Sequence, residues 1–410
     1  MIGALADVMA AFAGLGVVQA LTASRLVASF VRTPHAAPPD PSTPYERPAV
    51  TVLKPLHGDE PLLEAALATL CRQDYPHYQI VFGVHDPADP AVGAVRRLQA
   101  RFPDIDIALV IDATLHGVNR KVGNLINMMA TARHDVLVIA DSDVHVRPDY
   151  LDQLVATLRQ PGVGLVTTLY AGLPAPSSAW PGRLGATQIT HVFLPGAVLS
   201  RRFGRQDCLG ATMCLRRRDL ERIGGLPALA GHLADDAVLG RRIAALGLRV
   251  ALAPTVPLTT VPESSFRALF RHELRWARTI RVLEPLGSAA SVVQHPLAWS
   301  LLAILLAGGA PWSIGWFLIT WVLRAVAALG TDSALAPLWS EERGGNDEAA
   351  LAFSCPVWLL PLRDVLSVAV LLASYGGRQV KWRGYDLHAD TPPPAQRPIT
   401  LGPIEGINAR

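Results

Sequence analysis

The stretch that decides the fold is Val136-Leu-Val-Ile-Ala-Asp141-Ser-Asp143-Val-His-Val-Arg147. Its leading apolar run is too short for a helix and predicts a fully buried strand. Asp141 and Asp143 follow directly, and residues two apart in an extended chain point the same way. Both carboxylates can therefore reach one cation, at the strand end where open α/β sheets bind ligands. The stretch predicts a Mg2+ or Mn2+ site that keeps phosphates as further ligands, although a solvated turn carrying two acids remains an alternative on this motif alone.

Strands and helices alternate around this stretch from Pro48 to about Val250. Strands are predicted at Ala49–Lys54, Gln79–Val84 and Ile107–Ile111, and helices at 61–71, 89–101 and 119–132. Such alternation predicts a mostly parallel sheet with right-handed crossovers. The sequence contains neither GxGxxG nor GxxxxGK[ST], so neither a dinucleotide-binding fold nor a P-loop ATPase is supported.

Polar residues mark the ends of other predicted elements. Asp86 follows the strand 79–84, and a helix opens at Asn119 with Lys121 in its first turn. Helix N-termini attract anions, and a lysine adds a point charge suited to phosphate. Asp235 and Asp236 precede the next helical run, at 237–246. Capping and dipole effects account for one of these two acids more readily than for the pair.

A basic amphipathic helix is predicted over Phe266–Ile280. Four arginines share one face at helical spacing, namely Arg267, Arg271, Arg275 and Arg278. One interpretation is a helix lying on anionic lipid. In the other interpretation, Arg275 neutralises a diphosphate leaving group and Trp276 lines an acceptor channel.

The composition indicates a soluble domain combined with membrane segments. Half of the 410 residues are hydrophobic, 17% are charged and the mean hydropathy is +0.28. The net charge of +3 and the lack of a long Lys/Arg block do not indicate a nucleic-acid partner. The four cysteines form no CxxC pair, so neither a structural zinc site nor a disulfide framework is expected.

Apolar segments lie at both ends of the chain. Residues 8–31 predict an N-terminal anchor rather than a signal peptide, because Arg25 and Arg32 follow the apolar core instead of preceding it. The positive-inside rule then places the next domain in the cytoplasm. Residues 34–48 form a proline-rich linker.

The C-terminal apolar part has two segments. Residues 296–329 are broken at Gly308-Gly309-Ala310-Pro311, which predicts a hairpin of two short membrane helices or one kinked span. Residues 351–375 carry Arg363 and Asp364, and such charges are expensive inside a membrane. This segment therefore forms two interfacial pieces, or the two charges pair. The sequence leaves the side of the C-terminus open.

These motifs, in this order, resemble processive-type glycosyltransferases of the GT-A fold, which carry a D, D, D, (Q/R)xxRW signature. More narrowly, the chain is similar to the ceramide glucosyltransferase family (family 21), including its bacterial hopanoid-biosynthesis branch. The resemblance covers nearly the whole chain. It is carried by Leu53-Lys54-Pro55-Leu56, Asp86, Asn119-x-Lys121, Asp141-Ser142-Asp143, Asp236 and Arg275-Trp276. One departure is His272, which stands at the (Q/R) position.

The resemblance implies a role for each matching residue. Asp86 contacts the nucleotide, Asp141 holds the sugar-nucleotide and shares a divalent metal with Asp143, and Asp236 is the catalytic base. Arg275 and Trp276 close the signature as part of the catalytic set. The remaining residues implied to bind substrate are Lys54, Asn119, Lys121, Asp235 and His272.

The implied domain plan is a GT-A catalytic domain at 49–262 between membrane parts. An anchor occupies 1–33, the linker 34–48, an interfacial helix with the HxxRW motif 263–290, C-terminal membrane segments 291–376 and a tail 377–410. The implied location is the bacterial inner membrane, which the chain crosses several times, with the catalytic domain facing the cytoplasm.

The implied function is inverting, metal-dependent transfer of N-acetylglucosamine or glucose from a UDP-sugar to the hydroxyl of a membrane lipid. The Ala/Arg/Pro-rich composition is typical of a high-GC bacterium. The resemblance to the bacterial branch of the family then implies a hopanoid polyol of the bacteriohopanetetrol type as the acceptor. Ceramide is the alternative acceptor. A membrane-anchored binding protein that kept the fold without turnover is a different class of answer, and the intact set Asp86, Asp141, Asp143 and Asp236 argues against it.

Overall fold

A computed structural model describes residues 2–32, 47–340, 352–377, 379–382 and 385–388. Nearly all of the predicted linker 34–48 lies outside the described residues, as does most of the tail 377–410.

Twelve strands form three sheets in the described part of the chain. They are β1 (Val50–Pro55), β2 (Tyr78–Val84), β3 (Asp106–Ile111), β4 (Val136–Ala140), β5 (Val144–His145), β6 (Val163–Thr167), β7 (Ala171–Pro174), β8 (Thr212–Arg216), β9 (Arg249–Leu252), β10 (Leu258–Val261), β11 (Gln379–Trp382) and β12 (Tyr385–His388). The main sheet has the order β3-β2-β1-β4-β8-β6-β9. Only β8 runs against its neighbours among these seven strands, so the prediction of a mostly parallel α/β sheet is confirmed.

The helices follow the same order along the chain. They are α1 (Ile2–Arg32), α2 (Leu63–Leu70), α3 (Ala91–Arg101), α4 (Arg120–Met128), α5 (Tyr150–Leu158), α6 (Ala179–Gln188), α7 (Leu194–Arg202), α8 (Arg217–Arg222), α9 (Asp235–Ala245), α10 (Phe266–Leu283), α11 (Pro285–Ala290), α12 (Pro296–Leu306), α13 (Pro311–Leu335), α14 (Pro337–Ser340) and α15 (Leu360–Ser374).

The main sheet is a middle layer because its strands bury both faces. In β4, Val138 packs with the helices of one face, whereas Leu137 and Ile139 pack with those of the other. The first face is covered by α2, α3 and α5, and the second by α4 and α9. Continuous apolar strands are the expected sequence pattern for a parallel sheet covered on both sides. The layering leaves the strand ends as the place where polar side chains can meet.

Three described helices are long and apolar enough to cross a membrane: α1, the span 311–339 that contains α13, and the span 357–374 that contains α15. Helix α1 packs against α12 and α13, and its Gly16 lies so close to the 291–294 turn that a Cβ would meet the Val293 carbonyl oxygen at 2.4 Å. The predicted break at 308–311 is present, because Gly308 and Gly309 both adopt positive φ. The prediction of two short helices is wrong for the second one, since α13 has 25 residues.

The charges of α15 do not pair with each other. Arg363 forms an ion pair with Glu273 of α10, at 2.7 Å, and Asp364 Oδ2 accepts a hydrogen bond from the backbone N–H of Leu297 at 3.0 Å. The segment also forms one helix rather than two interfacial pieces. Adjacent residues on a helix point about 100° apart, so each charge reaches a different neighbour.

A buried polar cluster joins α13 to the catalytic domain. His191 Nε2 lies 2.7 Å from Asp332 Oδ1, and Asp332 Oδ2 accepts the backbone N–H of Cys355 at 2.8 Å. Arg324 donates to the His191 carbonyl oxygen at 3.0 Å. Both oxygens of Asp332 are thus satisfied by protein groups, and the cluster fastens the membrane helices to the domain that carries the sheet.

Candidate active site

Asp141 and Asp143 leave the end of β4 and enter a cluster of charged groups. Thr259 of β10 donates its hydroxyl to Asp143 Oδ2 at 2.6 Å, and the backbone N–H of Thr260 donates to the Asp143 carbonyl oxygen at 3.0 Å. Burial, together with the nearby charge of Asp141, raises the pKa of Asp143 to about 6. The sheet β5-β10-β7 therefore fixes the position of Asp143 through Thr259 and Thr260.

Lys121 connects the Asp141 carboxylate with the acids of α9. Its Nζ lies 2.6 Å from Asp141 Oδ1 and 3.9 Å from Asp235 Oδ2. The same ammonium donates to the Gly210 carbonyl oxygen at 3.4 Å. Burial opposes its charge, but Asp141 and Asp235 together raise the pKa of Lys121 above the ordinary lysine value. A fixed positive charge thus lies between the β4 end and α9.

Asn119 is a buried cap that holds the loop before α9. Its Oδ1 accepts the backbone N–H of Val122 at 3.1 Å, as an N-cap residue does. Its Nδ2 donates to the His232 carbonyl oxygen at 2.8 Å and to Asp235 Oδ1 at 3.1 Å. Asn119 has 1% of its surface exposed, and its side chain helps to hold the Asp235 carboxylate in place.

Lys54 is likewise placed behind the acids and not on the open side of the site. Its side chain has no exposed surface, and Nζ donates to the Val144 carbonyl oxygen at 3.0 Å. Burial lowers the pKa of Lys54 to about 8, against the opposing charges of Asp143 and Asp141. The structure therefore places the Lys54 ammonium beneath the carboxylates, where its charge acts on Asp143 and Asp141.

Asp236 opens α9 beside Gly210. Its Oδ1 accepts the backbone N–H of Ala237 at 2.8 Å, and a Cβ at Gly210 would come within 2.9 Å of its Oδ2. Burial and the neighbouring Asp235 raise the pKa of Asp236 to about 6. A carboxylate with a raised pKa that is still ionised near neutral pH is well matched to accepting a proton.

The pH dependence of activity follows from this pKa. Any reaction in which Asp236 accepts a proton is expected to slow as the pH decreases through about 6, because a protonated Asp236 cannot accept a proton. The measurement is kcat/KM of the catalysed reaction between about pH 5 and about pH 8. A profile that stays flat down to about pH 4.5 would contradict a basic role for Asp236.

Helix α10 brings the HxxRW residues to the other wall of the site. His272 Nδ1 pairs with Glu263, and its ring contacts Trp276 edge-on at a centroid distance of 4.4 Å. Trp276 packs against Val261 at the end of β10, two residues beyond Thr259. A pocket between α6, α10 and β10 is lined by Asp143, Gln188, Thr260, His272, Glu273 and Trp276. Arg275 lies on the same helix and its charge lowers the pKa of Glu263, after the larger effect of His272.

Asp86 is exposed and lies just beyond the C-terminal end of an inner strand of the main sheet. It follows β2, the neighbour of β1, and its Oδ1 accepts the backbone N–H of Ala88 at 2.8 Å. Asp86 is thus exposed, whereas Asp235, which lies near Lys121, is buried.

Sequence reasoning missed several residues that shape the site. Glu60 adds a further negative charge near Asp143 and accepts the Ser142 hydroxyl. The ring of Tyr170 contacts that of Phe193 at a centroid distance of 5.0 Å. The charges of Asp236 and Asp141 are close enough to disfavour ionisation of its phenol. Burial raises its pKa, so the phenol stays neutral. These positions carried no sequence signal, because each lies in a loop or at a strand end without a motif of its own.

The charge balance of the cluster suits a divalent cation. Five carboxylates, Glu60, Asp141, Asp143, Asp235 and Asp236, surround two lysines, Lys54 and Lys121. Burial raises the pKa of Asp143, and the charges of Asp141 and Glu60 raise it further. A bound cation would stabilise the ionised form of this carboxylate. Carboxylate oxygens are the preferred ligands of Mg2+ and Mn2+. Asp141 and Asp143 are the residues that fit such an ion.

The mixed sheet, with its acids at the β4 end and an HxxRW helix beside them, defines a GT-A glycosyltransferase. The chain belongs to glycosyl transferase family 21, whose model matches residues 10–393. It is accordingly a transferase. In fold it is similar to the mannosyltransferase PcManGT from Pyrobaculum calidifontis in complex with GDP-Man and Mn2+, with a TM-score of 0.50 and 23% identity over 92% of this chain and 99% of that one.

Sequence relatives agree with this class. The chain is 24% identical to ceramide glucosyltransferase 1 of Caenorhabditis elegans over 63% of its length and 56% of the relative's, so it spans about half of that protein. It is 22% identical to ceramide glucosyltransferase 3 of the same organism, over 83% of this chain and 72% of that protein. An N-acetylglucosaminyltransferase of Rhizobium meliloti (strain 1021) is 26% identical, over 63% of this chain and 62% of that protein.

Proposed function

We propose that this protein transfers a sugar from a UDP-sugar to the hydroxyl of a membrane lipid, with inversion at the anomeric carbon and with a divalent metal. The observation that carries the proposal is that Lys121 lies between the acid at the end of β4 and the acids at the start of α9. Asp141, ion-paired to Lys121, belongs to the donor side, and Asp236, with its raised pKa, is available as a base.

On the donor side, Asp141 and Asp143 would hold the metal and Lys121 would lie next to the diphosphate. The bound metal would neutralise the charge that develops on the leaving diphosphate. Arg275 is proposed to add a second positive charge to that group. Asp86, which is exposed just beyond β2, two strands away from β4, is proposed to contact the nucleotide. The Pyrobaculum mannosyltransferase was solved in complex with GDP-Man and Mn2+, and this complex supports a metal-bound sugar nucleotide as the donor.

On the acceptor side, Asp236 would take the proton of the attacking hydroxyl. The hydroxyl oxygen then bonds to the anomeric carbon as the bond from that carbon to the diphosphate oxygen breaks. A single displacement with one carboxylate base inverts the configuration. His272 and Trp276 form the wall along which the acceptor would approach.

A lipid acceptor is supported by how closely the site adjoins the apolar helices. Helix α10, which carries His272 and Trp276, packs directly against α15. An acceptor anchored in the membrane could therefore present its hydroxyl to Asp236 without leaving the bilayer. We place the protein in a bacterial inner membrane with the catalytic domain on the cytoplasmic side, where nucleotide sugars are made. The basic residues Arg25 and Arg32 near the end of α1 support this orientation.

The proposed acceptor is a hopanoid polyol, with N-acetylglucosamine or glucose as the sugar. The relatives include both ceramide glucosyltransferases and an N-acetylglucosaminyltransferase, so the experiment must compare donors and acceptors directly. Purified protein would be incubated with UDP-glucose or UDP-N-acetylglucosamine, Mg2+, and either bacteriohopanetetrol or ceramide, and products identified by mass. A glycosylated hopanoid is expected. Exclusive glycosylation of ceramide would overturn the acceptor assignment, and no glycolipid from any donor would overturn the function.

A further inference from the structure

A fully buried arginine of the membrane helix α15 is bonded to the helix that carries the HxxRW motif. Arg363 donates from Nη1 and Nη2 to the two carboxylate oxygens of Glu273, each at 2.7 Å. Arg363 has no exposed surface and Glu273 is 7% exposed. Glu273 follows His272 directly and lines the same pocket as Asp143 and Trp276.

Two further hydrogen bonds from Arg363 extend the contact to a third helix, α6. Its Nε donates to Ser367 Oγ at 3.1 Å, and its Nη1 donates to the Leu184 carbonyl oxygen at 3.2 Å. Ser367 in turn donates to Gln188 Oε1 at 3.0 Å, and Gln188 lines the pocket from α6. One guanidinium therefore fixes α15, α10 and α6 relative to one another.

Such a pair is an inefficient way to stabilise a fold. Removing two charges from water is expensive, and apolar residues of similar volume often stabilise a buried position as well or better. The pair instead fixes the relative orientation of the two helices, because a planar guanidinium and a carboxylate meet in one bidentate geometry. In α10 that geometry sets the rotation of the helix, and with it where His272 and Trp276 point.

We propose that Arg363 and Glu273 are positioning residues, which hold the HxxRW helix against the pocket from the membrane side. The inference rests on the proposed lipid-directed transfer. Neither residue needs to touch a reacting group; they act through α10. It follows that transfer depends on α15 being docked, whereas binding of the nucleotide by Asp141 and Asp143 on the opposite wall does not.

The test compares the apolar pair R363M/E273M, the isosteric single variant E273Q and the control D364N in the full-length protein. Asp364 is an equally buried neighbour on α15, but it bonds to α12 and not to the catalytic domain. The apolar pair is expected to lower kcat for lipid glycosylation by about 10²-fold, since misplacing a site by about 1 Å has an effect of this size. E273Q is expected to lose about tenfold. Affinity for UDP should change by less than about twofold in all variants, and D364N should keep its kcat.

Hydrogen exchange of the amides of 266–283 gives a readout that does not depend on turnover. Faster exchange of α10 is expected in R363M/E273M but not in D364N, because only the former frees this helix. The proposal is overturned if folded R363M/E273M retains both wild-type kcat and wild-type α10 exchange. It is also overturned if UDP affinity and thermal stability fall together with kcat while E273Q behaves as wild type. A wild type without any transfer would count against the proposed function, and α10 exchange would still decide the positioning role.

Discussion

Replacing Asp236 with asparagine is expected to reduce sugar transfer by ~10²–10⁴-fold while leaving metal-dependent UDP binding intact. The amide has the size of the carboxylate and can still accept the Ala237 N–H, but it cannot take a proton from an acceptor hydroxyl. A loss of this size corresponds to about 3–5 kcal/mol of transition-state stabilisation. The measurement is single-turnover formation of glycolipid, alongside equilibrium binding of UDP with Mn2+.

Asp112 offers a matched control for this variant. It also follows a strand of the main sheet, β3, but its side chain makes a local bond to the Thr114 N–H. D112N should therefore transfer sugar at the wild-type rate. Transfer by D236N within about threefold of wild type would remove Asp236 from the role of base.

Replacing Asp143 with asparagine is expected to weaken UDP binding in the presence of metal by about 10²-fold, with a corresponding loss of transfer. Removing a group that merely supports a metal ligand typically costs 10–100-fold, and Asp143 is proposed as a ligand itself. Because Thr259 donates its hydroxyl to Asp143, the asparagine can keep its orientation while losing its charge. Titration of fluorescent UDP at increasing Mn2+ measures the effect.

The same titration without metal distinguishes the effect of the Asp143 charge on UDP binding from the effect of Asp143 as a metal ligand. In EDTA, D143N should bind UDP at least as well as wild type, since a negative charge has been removed from beside a diphosphate. Equal metal-dependent binding by wild type and D143N would show that Asp143 is not a ligand. D112N serves again as the unaffected variant.

The sequence alone predicted four of the seven strands of the main sheet, β1 to β4. Its predicted strands at 79–84 and 136–140 match β2 and β4 to within one residue, because strands buried on both faces appear as uninterrupted apolar runs. The acids beyond β4 were identifiable for the same reason, since a charged pair directly after such a run can only lie at the strand end. The antiparallel β8 gave no comparable signal and was not predicted.

The roles of individual polar residues were less predictable, because they depend on contacts between distant segments. Lys54 lies in a motif shared with the family, yet its ammonium donates to the carbonyl oxygen of Val144, a residue 90 positions further along the chain. Asn119 looked like an anion-binding residue but forms the cap that holds Asp235. The Arg363–Glu273 pair joins residues 90 positions apart, and no local sequence pattern predicts an ion pair between residues so far apart.

The most direct test of metal-dependent transfer to lipid is incorporation of label from a UDP-sugar into the lipid fraction by the purified wild-type protein, with and without EDTA. We expect labelled glycolipid that disappears on chelation and returns on addition of Mg2+ or Mn2+, with D236N inactive under every condition. Label that enters lipid equally well in EDTA, or that D236N transfers as fast as wild type, would contradict the proposed mechanism.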